Sequence, residues 1–199
     1  MKNTMESYDR TYKLLHWGMA MLVVSALALV EFRGWLPNRD MKHEAVFLHI
    51  QAGLGVFFLV WVRLFWRATH AAPPILPDPP RIQKIAAGWT HAGLYLLMAA
   101  LPLFGILALQ SKGKEISFLS WTLPVLLDED KWLSYSLSFR NVHEILGNLL
   151  MAAIALHVLA ALVHHFHVGD NTLKRMLPFP GRGEPGLELL NTSTKGNLQ

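Results

Sequence analysis

Charged residues stand in clusters separated by four long runs that carry no formal charge. The runs lie between Lys13 and Glu31, between Glu44 and Arg63, between Lys84 and Lys112, and between Glu144 and Asp170. A helix needs about 20 apolar residues to cross the roughly 30 Å hydrocarbon layer of a bilayer. The pattern therefore predicts spans over 14–30 and 45–62, a third within 85–109 bent by Pro102, and a fourth over 145–163 extended toward His167. Five prolines in 71–81 predict an extended connector. Residues 116–127 are apolar but short and contain Pro124, which predicts an interfacial or folded-back loop. The expected fold is all-α, a bundle of four transmembrane helices over 1–178, followed by a loose tail over 179–199 rich in Gly, Pro and Asn.

Composition narrows the chemistry. Only 16% of the 199 residues are charged and there is no cysteine. Disulfides, thiolate metal sites, cysteine-ligated iron–sulfur clusters and c-type haem attachment are excluded. The formal charge of +4 comes from basic residues scattered around apolar segments. No basic groove with interleaved aromatics points to nucleic acid. The 14–30 segment has the basic entrance of a signal peptide, but Glu31-Phe32-Arg33-Gly34-Trp35 is no small-residue cleavage site, so the helix is expected to be retained.

Counting Lys and Arg sets the topology. With both termini and the 63–84 connector on one side, that side holds 11 of the 18 and the other holds 7. The excess predicts both termini in the cytoplasm, and Trp17, Trp35, Trp61, Trp66, Trp89 and Trp121 fall near span boundaries as interfacial anchors do.

Ten histidines are the anomaly in so apolar a chain. Depth along the spans sorts them. His16 and His91 fall near inner ends and His49 near an outer end, while His143 and His157 lie 14 residues apart on one span. That interval rises about 21 Å and returns to nearly the same helix face. Two levels result, His16 with His157 inside and His49 with His143 outside. Each pair could hold a haem iron from above and below, since imidazole suits iron and needs no cysteine. Small residues beside these positions, Gly18, Ala20, Ala52, Gly53, Gly147, Ala153 and Ala155, leave room for a ring or for close helix packing. Zinc and a proton relay are the competing uses. Zinc would want three or four convergent ligands. His91 shares the inner level and could replace His16. His164 and His165 could exchange protons near the inner surface, and His43, His70 and His167 are expected to be exposed.

The chain resembles the bacterial cytochrome b561 family over about residues 10–178. The likeness runs through His16-Trp17, Glu31-Phe32-Arg33-Gly34-Trp35-Leu36-Pro37, His49, Arg63-Leu64, residues 69–74 and residues 95–105. It continues through His143-Glu144, His157, His164-His165 and the run from Asp170-Asn171-Thr172-Leu173 to Pro178. The resemblance implies a four-helix bundle in the inner membrane with two b-type haems, the inner held by His16 and His157 and the outer by His49 and His143. It also favours His16 over His91 as ligand, leaving His91 and His164 as candidates at a quinone site. A family member oxidises superoxide to dioxygen and passes the electrons to ubiquinone. Relatives with other donors make a quinone-linked carrier, or a haem-holding membrane anchor for a partner dehydrogenase, the alternative. Superoxide would need a basic collecting surface, for which Arg33, Arg39, Lys112, Lys114 and Arg140 are the outer-side candidates. That side carries seven basic and eight acidic residues, so attraction would depend on a local basic pocket.

Overall fold

The computed structural model describes residues 7–177. The 179–199 tail, with Arg182 and Lys195, and Lys2 and Pro178 lie outside the described residues. Four long helices carry the fold: α1 (Arg10–Glu31), α2 (Arg39–Thr69), α3 (Arg81–Gln110) and, after the single turn α4 (Glu129–Trp132), α5 (Ser136–Val163). All four long helices are long and apolar enough to cross a membrane. The protein is a multi-pass four-helix bundle.

Side chains start two of the helices where hydropathy gives no signal. Asp9 caps α1 by accepting from the Tyr12 amide at 2.7 Å, and Asn38 caps α2 by accepting from the Met41 amide at 2.8 Å. α3 passes through Pro102 without interruption. At 31 residues α2 is about 46 Å long. It outruns the predicted 45–62 span because charge marks the edge of the membrane, whereas the helix continues until the connector prolines approach. Arg63 and Arg67 therefore belong to α2 and not to a connector.

α1 packs chiefly on α2 and α3 chiefly on α5, giving two antiparallel pairs that face each other. Met19, Val23, Val56, Val60, Leu94, Leu101 and Leu150 form the shared core. Large apolar side chains such as Leu14, Met21, Phe58, Phe65 and Leu96 point outward instead, as a lipid solvent permits.

Loops close both ends. At the hairpin end, β1 (Ser117–Phe118) and β2 (Trp121–Thr122) form a small antiparallel hairpin within the predicted 116–127 loop. The Gln51 amide donates to the Ser117 carbonyl and accepts from the Leu119 amide. The fully buried Gln110 does the same with Pro124 and Leu126. At the terminal end, α5 widens over His164–Val168 and stops at Gly169, whose φ of 73° suits a residue without a Cβ.

The segment after Gly169 is a clasp. Asp170 is 2% exposed, accepts from the Thr172 amide at 2.8 Å and meets His164 Nδ1 at 2.5 Å. Asn171 exchanges two hydrogen bonds with the Leu76 backbone, and buried Arg175 donates to the Pro73 carbonyl while its own carbonyl accepts from Ser7 and Tyr8. Burial alone would raise the Asp170 pKa, but the bonds from Thr172 and His164 outweigh it and hold the carboxyl below its ordinary range. A depressed carboxyl contributes stability above its unfolded pKa and loses it as pH falls through the lower folded value. Asp170→Asn should cost about 1–3 kcal/mol at pH 7, with the difference from wild type shrinking in acid below pH ~4. Thermal melts of the two proteins at both pH values check this.

Candidate functional site

Two histidine pairs bridge the facing helix pairs at two depths. At the hairpin end His49 on α2 meets His143 on α5, with ring centroids 6.0 Å apart. At the terminal end His16 on α1 meets His157 on α5 at 6.5 Å. The level matching read from spacing is therefore realised across the bundle. Two metal–imidazole bonds of about 2 Å each, plus the two ring radii, require a separation of ~6 Å.

Backbone carbonyls aim the hairpin-end rings. His49 Nδ1 lies 2.8 Å from the Ala26 carbonyl and His143 Nδ1 lies 2.9 Å from the Leu101 carbonyl. A carbonyl can only accept, so each Nδ1 carries the proton and Nε2 is left as the free donor to a metal. At the terminal end His16 Nδ1 is buried and has no partner among the described residues. His91 also approaches His157, at 5.4 Å. That is shorter than two metal bonds and two ring radii need, whereas the wider His16–His157 separation accommodates them.

Space surrounds the His49–His143 pair. Two cavities of about 360 and 330 Å³ share His49, Gly53, Pro102 and His143. A Cβ on Gly53 would meet nothing within 4 Å, so it would project into this space. A Cβ on Gly105 would lie 3.2 Å from His143 Cε1 and 3.3 Å from Nδ1. The ring cannot yield without leaving the Leu101 carbonyl. Gly105→Val should therefore tilt His143 and alter the absorption of whatever it ligates, with a smaller change for Gly105→Ala. Low-temperature optical spectra of purified variants check the order.

The two cavities differ in charge. The smaller is lined by Arg33, Lys112, Lys114 and Arg140, the larger by Glu31 and Glu144. Arg140 Nε lies 2.7 Å from Glu144 Oε1 across the boundary. Four of the five candidate cations thus converge beside His49 and His143. Arg39 lines neither cavity.

Among the described residues no three His, Cys, Asp or Glu side chains converge to hold a metal ion by themselves. That donor set does not suit zinc. It does suit a metal whose remaining ligands arrive with it. His43, His70 and His167 are exposed as expected, while His164 and His165 are half-buried at the terminal end. The residue that sequence reasoning missed is Arg63, counted as a connector charge but 8% exposed within the bundle. Its signal was available, because it lies 14 residues after His49, the same interval that separates His143 from His157.

Residues 7–179 match the family model described as prokaryotic cytochrome b561. The chain belongs to this family. Cytochrome b561 homolog 1 of Escherichia coli strain K12 is 35% identical over 175 residues, covering 87% of this chain and 98% of the relative. Cytochrome b561 homolog 2 of the same strain is 32% identical over 178 residues, covering 88% and 93%. A Yersinia pestis protein named "Probable superoxide oxidase CybB" is 32% identical over 167 residues, covering 82% and 92%. Membership in the cytochrome b561 family makes this a membrane-bound b-type cytochrome of electron transport, and b-type haem is the cofactor such membership implies. The residues fit that group. Imidazole pairs 6.0 and 6.5 Å apart, carbonyls that hold the Nδ1 protons of the hairpin-end pair, and a glycine-lined space beside that pair suit a haem held by two histidines.

Proposed function

We propose that the protein carries electrons across the inner membrane between a donor at the hairpin end and ubiquinone at the terminal end, with both termini in the cytoplasm. The observation that carries this reading is the pair of histidine pairs stacked at two depths of one bundle. His49 and His143 would hold one b-type haem and His16 and His157 a second, about 21 Å deeper by helix rise. When bound, two such haems supply one-electron carriers at two depths. The chain's own contribution is to orient and to insulate. The Ala26 and Leu101 carbonyls set the imidazole planes, and the core between the levels, including Val23, Val56, Leu101 and Leu150, excludes water. At the terminal end the His164 ring is held through Nδ1 by Asp170. That leaves Nε2 to exchange a proton with a quinone oxygen, and His91, 5.4 Å from His157, is a second polar group at this end of the bundle.

A specific observation favours superoxide as the donor. Arg33, Lys112 and Lys114, together with Arg140 that is paired to Glu144, line one cavity with His49 and His143, although the hairpin side as a whole has a slight acidic excess. A local cluster of this kind concentrates a small anion where a global field does not. The Yersinia pestis relative's name agrees. Two superoxide anions would each give up one electron and leave as dioxygen. One ubiquinone would take both electrons and two protons to become ubiquinol.

A calibrated superoxide pulse applied anaerobically to the purified protein, with and without ubiquinone and alongside haem quantitation, tests both layers. Two b-type haems that reduce rapidly and reoxidise with ubiquinol formation are expected. Two haems indifferent to superoxide but reduced by another donor would remove the superoxide assignment and leave a carrier or anchor subunit. Fewer than two haems would overturn the two-level reading. Neutralising Lys112 and Lys114 should lower the superoxide rate and flatten its salt dependence. An unchanged salt dependence would assign these cations to haem carboxylates instead.

A further inference from the structure

Arg63 is a buried cation in the membrane-spanning part of α2, 8% exposed. No carboxylate lies within ion-pair distance of it among the described residues, and its Nε is buried without a hydrogen-bond partner. Its guanidinium carbon sits 5.7 Å from the Tyr12 ring and 5.8 Å from the Tyr95 ring. Tyr95 in turn carries a buried hydroxyl without a partner among the described residues. Ionisable groups at such depth are costly and face either a partner or a polar path. Two aromatic faces soften that cost but leave the buried Nε donor unsatisfied.

Position says what the missing partner is. Arg63 follows His49 by the same interval that separates His143 from His157. It therefore occupies the same face of α2 about 21 Å deeper, at the level of His16 and His157. Tyr12 precedes His16 by four residues on one face of α1, one turn nearer the terminal surface. At the hairpin level α2 offers an imidazole. At the terminal level it offers a fixed positive charge, and α1 supplies the imidazole. A haem brings two propionate carboxylates, the chemistry a planar guanidinium recognises best.

We propose that the Arg63 guanidinium, with the Tyr95 hydroxyl, holds a propionate carboxylate of the haem ligated by His16 and His157. This rests on the two-haem reading of the site. The contact fixes the rotation of the ring about its iron axis and favours the reduced state by placing a positive charge at its edge.

The experiment uses the full chain in phosphatidylcholine nanodiscs, with Arg63→Gln, Arg63→Lys and Tyr95→Phe. Haem content of the wild type is read first, and fewer than two haems would fail the underlying reading rather than this one. The terminal-end haem is assigned as the signal that persists in a His143→Ala background. In Arg63→Gln its resonance-Raman propionate bending band should shift. Its reduction equilibrium should fall about tenfold, which is ~59 mV for one electron, with Arg63→Lys between. If Arg63→Gln does not assemble, Tyr95→Phe serves, with a smaller shift of the same band. A band and potential unmoved in every assembled variant would overturn the proposal. So would a shift that appears only when anionic lipid is added, since Arg63 would then be serving a lipid phosphate.

Discussion

Replacing His143 with alanine should reduce the haem content from two to one and remove the signal of the hairpin-end haem alone. His143 takes part in everything that builds that site. Its ring stands 6.0 Å from His49, its Nδ1 is anchored on Leu101, and its edge packs against the bare Cα of Gly105. Losing a hydrogen bond that merely supports a ligand typically costs 10–100-fold in affinity, about 1.4–2.8 kcal/mol. Losing the ligand itself should cost more. The cavities beside the pair offer no evident substitute, since of the carboxylates that line the larger one Glu144 is paired with Arg140 and Glu31 is exposed. Haem extraction with pyridine, alongside protein quantitation, gives the ratio directly. Two native haem spectra surviving in His143→Ala would remove His143 from the ligand set. His49→Ala should match it, because in the proposed site the two rings would share one metal position.

The number of spans and the pairing of histidine levels were legible in the sequence because both follow from rise per residue. A charge-free run long enough to cross a bilayer has one economical use, and the interval from His143 to His157 returns a side chain to its own face. The extent of α2 was not legible. Its last turns carry Arg63 and Arg67, and hydropathy reads a charge as the end of a span even where the backbone remains helical. That is also why Arg63 reads from the sequence as a connector charge. The orientation of His49 and His143 was hidden for a different reason. Their partners are the carbonyls of Ala26 and Leu101, and a backbone carbonyl leaves no mark on residue identity. The convergence of Arg33, Lys112, Lys114 and Arg140 was hidden by averaging. They come from the turn after α1, the loop after α3 and the start of α5. A sum over the whole side mixes them with Asp128, Glu129 and Asp130, none of which lines either cavity. The run Asp170-Asn171-Thr172 is part of the family likeness, and the structure gives it a use as the clasp that ties α5 to the connector.

The terminal-end site supplies the second large effect, and it separates three histidines that sequence spacing left open. His157 approaches both of the others, 6.5 Å from His16 and 5.4 Å from His91. His157→Ala should remove the terminal-end haem whichever partner is used. His16→Ala should do the same, because its ring sits at the separation that two metal bonds require, and because its buried Nδ1 has no other partner among the described residues to hold it there. His91→Ala should retain two haems with bis-histidine spectra. Its ring stands 5.4 Å from His157, closer than the two rings of either proposed ligand pair, so it is expected to prop His157 and not to share a metal with it. The expected haem-to-protein ratios are therefore one, one and two. The opposite pattern, with His16→Ala keeping two and His91→Ala falling to one, would move the ligand from α1 to α3. Such a shift would leave the hairpin-end pair untouched, but it would place the inner ring between α3 and α5 instead of between the two helix pairs. The Arg63 contact would then lose its geometric basis, since Tyr12 and His16 share the face that brings α1 to it.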